Sequence, residues 1–95
     1  MTINGNLNSN DVSVSYNGVT YKKSLKMESK TTITFTTSKA LKLIIVTDTA
    51  SKKIKVDGTN ETTDSNKVVE VEIAAGSHTI TKGDTMNVVA IIFQE

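Results

Sequence analysis

Apolar and polar residues alternate along most of this chain, and the alternation is interrupted mainly by residues suited to turns. Val12, Val14 and Tyr16 are separated by Ser13 and Ser15, so an extended segment here presents one apolar and one polar face. Asn17-Gly18 follows, and Val19 and Tyr21 resume the pattern. Both central residues of a tight hairpin turn need positive φ, so Asn-Gly between two alternating runs predicts a β-hairpin. Leu25 and Met27 flank Lys26, which places the apolar pair inward and the ammonium outward. Thr31 to Thr37 reads as a strand with Ile33 and Phe35 on its buried face. Ile54 and Val56 alternate with Lys53 and Lys55 ahead of a second turn signal, Asp57-Gly58. Val69, Val71 and Ile73 alternate with Glu70 and Glu72; Ala75-Gly76 then turns into Ser77 to Thr81, and Lys82-Gly83-Asp84 turns again. Leu41 to Val46 and Val88 to Phe93 are nearly continuous apolar runs, the pattern of central strands covered on both faces. No helical period persists for three turns. Short strands at roughly ten-residue spacing predict an all-β fold, an antiparallel β-sandwich of about eight or nine short strands.

With 95 residues the chain makes one small domain with a thin core. Residues 1–10 are polar and Asn-rich, and are expected to be a poorly ordered linker remnant ahead of a single module spanning 11–95. They show neither the basic start nor the apolar stretch of a signal peptide. No run of eighteen apolar residues occurs, so no membrane contact is expected. The net charge of +1 gives none of the global field that nucleic-acid binders carry. Without cysteine the domain holds itself together by packing alone, and no zinc-thiolate site is available. Thr59 to Asn66 reads as a polar loop containing the sequon Asn60-Glu61-Thr62, a short pattern that chance supplies often.

The residue set for catalysis is thin. His78 is the only histidine; it shares strand parity with Ile80 and lacks a nucleophile at motif spacing, so it is expected as a hydrogen-bonded structural residue. Glu70 and Glu72 share a strand face, as a solvated face requires. Asp48, Asp57, Asp64 and Asp84 lie in loops where oxygens gather around calcium in other proteins, but no D-x-D-x-D-G run is present and Asp-Gly is ordinary turn chemistry. No enzyme, cofactor or metal is expected. Met27 and Met86 read as core filler.

The cationic residues carry more information. All eleven are lysine, with no arginine and only four aromatic residues beside them. Lysine is a compact point charge, whereas arginine is a planar fork; an array of lysines can hold a series of anionic groups without a stacking platform. Strand geometry fixes Lys26 and Lys55, and the Lys82-Gly83 turn exposes Lys82. Other lysines also serve to prevent edge-to-edge strand pairing. If lysines did only that, the domain would be a structural or adhesion spacer of an extracellular assembly, with lysines scattered evenly over both faces.

Three stretches carry a resemblance: Ser24 to Thr37, Lys53-Ile54-Lys55-Val56-Asp57-Gly58, and Ala75 to Asp84. In order and spacing they resemble the pectin-binding carbohydrate-binding modules of family 77, β-modules appended to bacterial pectate lyases, from about residue 20 to the C-terminus. The resemblance implies a secreted bacterial β-sandwich, a monomer covalently linked to a pectinase catalytic module. It implies binding to homogalacturonan of low methyl esterification through lysines contacting uronate carboxylates. On the matching positions Lys26 and Lys82 are the leading contacts and Lys55 is next; apart from the resemblance, Lys23, Lys30 and Tyr21 are secondary candidates, Tyr21 as a ring for a sugar to lie against. The chain departs from the family pattern at Ser24, where relatives often carry cysteine, a change expected to alter core packing only. It departs again at Val89-Ala90-Ile91, which replaces a more aromatic run and removes stacking from that strand.

Overall fold

The computed structural model describes all of residues 1–95 as two facing five-stranded antiparallel sheets. In chain order the strands are β1 (Thr2–Asn4), β2 (Ser9–Tyr16), β3 (Val19–Met27), β4 (Thr32–Thr37), β5 (Leu41–Thr47), β6 (Lys53–Val56), β7 (Thr59–Thr62), β8 (Val68–Ile73), β9 (Gly76–Lys82) and β10 (Met86–Gln94). One sheet runs β1-β4-β9-β6-β7, the other β2-β3-β10-β5-β8. The expected sandwich is present, with ten strands rather than eight or nine. The additional strands are edges whose residues are mostly polar and exposed. β7 falls in the segment read as a loop and pairs with β6, Lys55 opposite Asn60. β1 falls in the segment read as a linker and pairs with β4, Ile3 opposite Ile33. Edge strands need no apolar face, so an apolar-pattern reading misses them.

The turn signals act as their chemistry requires. Asn17 and Gly18 take φ of 54° and 81°, and Asp57 and Gly58 take 52° and 81°, the doubly positive geometry that matches the strand twist of a two-residue hairpin. Between the sheets, Met27, Leu43 and Ile45 of one pack against Ile33, Ile54 and Ile80 of the other, all essentially inaccessible. Burying each such side chain contributes roughly 1.5–3 kcal/mol before entropy is counted. β5 lies between β10 and β8 and is covered on its second face too. There Ile44 and Val46 pack with Val68 and with Val14 of the β2–β3 hairpin. The Val89-Ala90 segment joins this outer cluster, while Ile91 touches the main core. Ser24 is buried, and its Oγ donates to the Asn10 carbonyl at 2.9 Å. The expectation that Ser24 bears on packing only is therefore incomplete, since its hydroxyl ties β3 to β2.

The loop aspartates accept hydrogen bonds in separate turns. Asp48 takes the backbone and side-chain amides of Asn87, Asp64 takes the N–H groups of Asn66 and Val68, and Asp84 takes that of Lys53. Asp57 takes the Thr79 N–H at 2.8 Å and meets His78 Nδ1 at 2.6 Å, while His78 Nε2 lies 2.7 Å from the Ala74 carbonyl. The imidazole is only 10% exposed and stands 5.5 Å from the Phe35 ring. Both ring nitrogens thus face groups that only accept, and a neutral imidazole has one N–H to offer. The Asp57 hydrogen bond, then the Ala74 carbonyl, raise the His78 pKa above its ordinary 6.5. The His78 hydrogen bond, followed by the Thr79 N–H, holds the Asp57 carboxyl below its ordinary 3.8.

A group whose pKa folding raises stabilises fully below its unfolded value and loses that stabilisation as pH rises through the folded one; a depressed carboxyl behaves in the opposite sense. The pair therefore contributes most between the two ordinary values, 3.8 and 6.5. Thermal unfolding followed from pH 6 to pH 9 is expected to show a loss of about 1 kcal/mol, a modest figure because Asp57 is half-exposed. His78→Gln is expected to flatten that slope; an unchanged slope in the variant would assign it to other groups.

Candidate functional site

Five chain connections cross between the sheets at one end of the sandwich: residues 5–8, 28–31, 48–52, 63–67 and 83–85. Lys26, Lys30, Lys52, Lys53, Lys67 and Lys82 all lie on or beside this end, as the strand limits and the Lys67 carbonyl bond to the Thr47 N–H show. The four aromatic residues are elsewhere, Tyr16 and Tyr21 on the β2–β3 hairpin and Phe35 and Phe93 stacked edge to face toward the other end. The other five lysines, Lys22, Lys23, Lys39, Lys42 and Lys55, lie elsewhere on the sandwich.

This end is organised around the β3–β4 turn. The Thr31 N–H donates to the Glu28 carbonyl at 3.0 Å, and the Glu28 N–H donates to Thr31 Oγ1 at 3.2 Å. Thr31 is completely buried, and its hydroxyl donates onward to the Asn6 carbonyl at 2.9 Å. One step along, the Lys26 N–H donates to the Asn8 carbonyl at 2.9 Å. The Asn-rich segment is therefore a strap laid against the turn and belongs to the sandwich. Gly5 makes the contact feasible: its φ is +83°, and a Cβ there would lie 1.6 Å from the Lys30 carbonyl oxygen.

Lys26 near the end of β3 and Lys82 at the end of β9 belong to different sheets and both lie at this end. Lys26 Nζ lies 3.8 Å from Glu28 Oε1, with the lysine side chain 44% exposed and the glutamate 19% exposed. The Asn8 amide donates to the same carboxylate oxygen at 2.9 Å. The Glu28 pKa is lowered by that hydrogen bond first, by the Asn6 amide next, and then by the charges of Lys26 and Lys82. Lys82 is opposite Ile54 and two residues from the buried Ile80, so it leaves the β1-β4-β9-β6-β7 sheet on the inner side and its stem covers the rim of the core. Gly83 serves a close backbone approach, since a Cβ there would lie 2.5 Å from the Lys53 carbonyl oxygen.

The other candidates are placed differently. Lys55 alternates with buried Ile54 and Val56, so it projects from the outer face of its sheet, the opposite side from Lys82. A transverse row accompanies it there, Asn4, Thr32, Thr81, Lys55 and Asn60 standing in register. Lys30 is exposed in the β3–β4 turn. Lys23 is held by Asp11 at 2.5 Å, and Tyr21 sits opposite Val14 on the β2–β3 hairpin; the structure brings neither to the Glu28 cluster. Glu28, Asn6 and Asn8 were missed by the sequence reading. One signal was available, since asparagine recurs at positions 4, 6, 8 and 10, a period of two that marks one face of an extended chain.

An open end of a β-sandwich that presents ammonium, amide and carboxylate groups with no ring platform can bind a polar, partly anionic chain. Such an end suits a protein of the class of carbohydrate-binding modules, which bind without catalysing. The family model for carbohydrate binding module 77 matches residues 1–92, and the chain belongs to that family. A solved structure reported for glycan recognition in the Ruminococcus flavefaciens cellulosome is similar, with a TM-score of 0.89 and 41% identity over 98% of this chain and 79% of that one. No curated protein sequence matches at a significant level.

Proposed function

We propose that this module binds pectin, specifically homogalacturonan of low methyl esterification, with Lys26 and Lys82 as the leading contacts. Lys55 serves a neighbouring stretch of the chain on the outer face, Lys30 extends the cationic rim, and Lys23 and Tyr21 are peripheral. The observation that supports this reading is the placement of Lys26 and Lys82, from opposite sheets, at one end of the sandwich that holds no aromatic residue. The similarity to a cellulosomal glycan-recognition structure supports an extracellular bacterial setting, in which the module directs a linked pectinase to plant cell walls.

Unesterified galacturonan carries a carboxylate on each sugar, and methylation removes those charges one at a time. Ammonium groups sense that difference through a Coulomb energy that vanishes when the acid is capped. Exposed ion pairs contribute roughly 0.2–1 kcal/mol each. Several of them with hydroxyl contacts total about 4–6 kcal/mol, a dissociation constant on the order of 0.05–1 mM. Titration with pectins of graded esterification at two salt concentrations tests the reading. Affinity is expected to fall stepwise with esterification and to weaken strongly as salt shortens the Debye length towards roughly 3 Å at 1 M. Equal binding of fully esterified and unesterified chains would defeat it.

A further inference from the structure

Glu28 places a negative charge inside a cluster whose proposed ligand is itself negative. Were the cluster simply a trap for polyanions, this residue would work against it. Its position is nevertheless closely specified: both backbone groups of Glu28 are bonded to the fully buried Thr31, and the Asn8 amide holds its carboxylate. Lys26 Nζ, at 3.8 Å, is beyond hydrogen-bonding distance, so the ion pair leaves capacity on both partners. A carboxylate only accepts, with about four lone-pair positions, and an ammonium only donates. Asn8 fills one of those positions, and the side chain is 19% exposed.

An acceptor flanked by donors is complementary to a ligand that offers the reverse pair close together, hydroxyl donors beside a carboxylate. A sugar acid has that combination and a plain polycarboxylate does not. We infer that Glu28, oriented by Asn8, accepts hydroxyl hydrogens of a uronic-acid residue whose carboxylate lies against Lys26. Glu28 thereby sets selectivity for sugar acids over other polyanions. The inference rests on the pectate reading of the same site.

The test compares polygalacturonate with poly-L-glutamate at low salt, using the full chain and Glu28→Gln, which keeps an oxygen for the Asn8 amide. Removing the charge shifts affinity for both polyanions, so the readout is the ratio of their dissociation constants. Losing a charge-assisted bond to sugar hydroxyls is expected to cut the preference for polygalacturonate by about five- to twentyfold. Asn8→Ala, which frees the carboxylate without changing charge, is expected to reduce the ratio in the same direction, and it supplies the reading if Glu28→Gln does not fold. A ratio that stays constant or rises in the folded variants overturns the inference. A wild-type protein that binds both polymers equally also overturns the inference, whereas one that does not bind polygalacturonate at all overturns the pectate reading, before any variant is measured.

Discussion

Lys26→Ala and Lys82→Ala are each expected to weaken binding to low-ester homogalacturonan by about five- to twentyfold, the worth of a hydrogen bond to a charged group at a partly exposed site. Because the starting affinity is modest, a loss of that size removes most retention on affinity gels containing pectate. The fold is expected to survive both changes. Lys26 keeps its place through backbone bonds, its N–H to the Asn8 carbonyl and its register with Asn87 of β10. Lys82 needs a second variant, because its stem lies on the side of the buried Ile54 and Ile80. Lys82→Met preserves the apolar stem and removes only the ammonium, so a loss shared by Lys82→Ala and Lys82→Met belongs to the charge. Lys39→Ala is the internal control, since Glu95 already holds that ammonium in the β4–β5 connection at the opposite end of the sandwich. Gel retention and calorimetric titration measure these effects. Full retention by both the Lys26 and Lys82 variants would remove the site from the end of the sandwich.

The second large effect is expected from a residue that carries no chemistry. At Gly5 a methyl group meets the Lys30 carbonyl oxygen at 1.6 Å, and the φ of +83° is unfavourable for any side chain. The strap must therefore lift away from the β3–β4 turn, breaking the bonds from Thr31 to Asn6 and from Lys26 to Asn8. Gly5→Ala is expected to cost about 1–3 kcal/mol, lowering the Tm by about 5–20 °C for a domain of this size. Pectate affinity is expected to fall with it, because Asn8 no longer orients Glu28. Hydrogen exchange gives the local readout: the Lys26 amide should lose protection while amides of β5 keep theirs. Gly18→Ala is the matched comparison. Its φ is +81°, but no atom lies within 4 Å of the added Cβ, so it strains the hairpin and leaves the site intact. A Gly5→Ala protein with unchanged Tm and unchanged Lys26 protection would show that the strap contributes nothing to the end it covers.

These two predictions differ in how far they could be read from the chain. Lys26 is visible as a cation between Leu25 and Met27, and the structure confirms that Met27 is buried while Leu25 packs against the core. Gly5 is not visible, because its requirement comes from the Lys30 backbone, which is remote along the chain and adjacent only after folding. The residues 1–10 were read as a linker for a related reason. Edge strands and crossovers can be wholly polar, so an apolar count assigns them no structure even when hydrogen bonds hold them. The family match beginning at residue 1 takes in the same segment.

What the amino-acid order settles alone is local: which residues alternate, where two consecutive positive φ values are needed, and which strands are apolar enough to be covered twice. From these the all-β sandwich, the Asn17-Gly18 and Asp57-Gly58 hairpins and the central position of β5 and β10 follow. Alternation also tells which side of its own strand a lysine leaves. It does not tell which sheet that strand joins or which strand lies across from it, since those depend on pairings between distant segments. Only tertiary structure could therefore place Lys26 of β3 and Lys82 of β9 at one end of the sandwich, turn Lys55 to an outer face, and fold an asparagine-rich strap against Glu28.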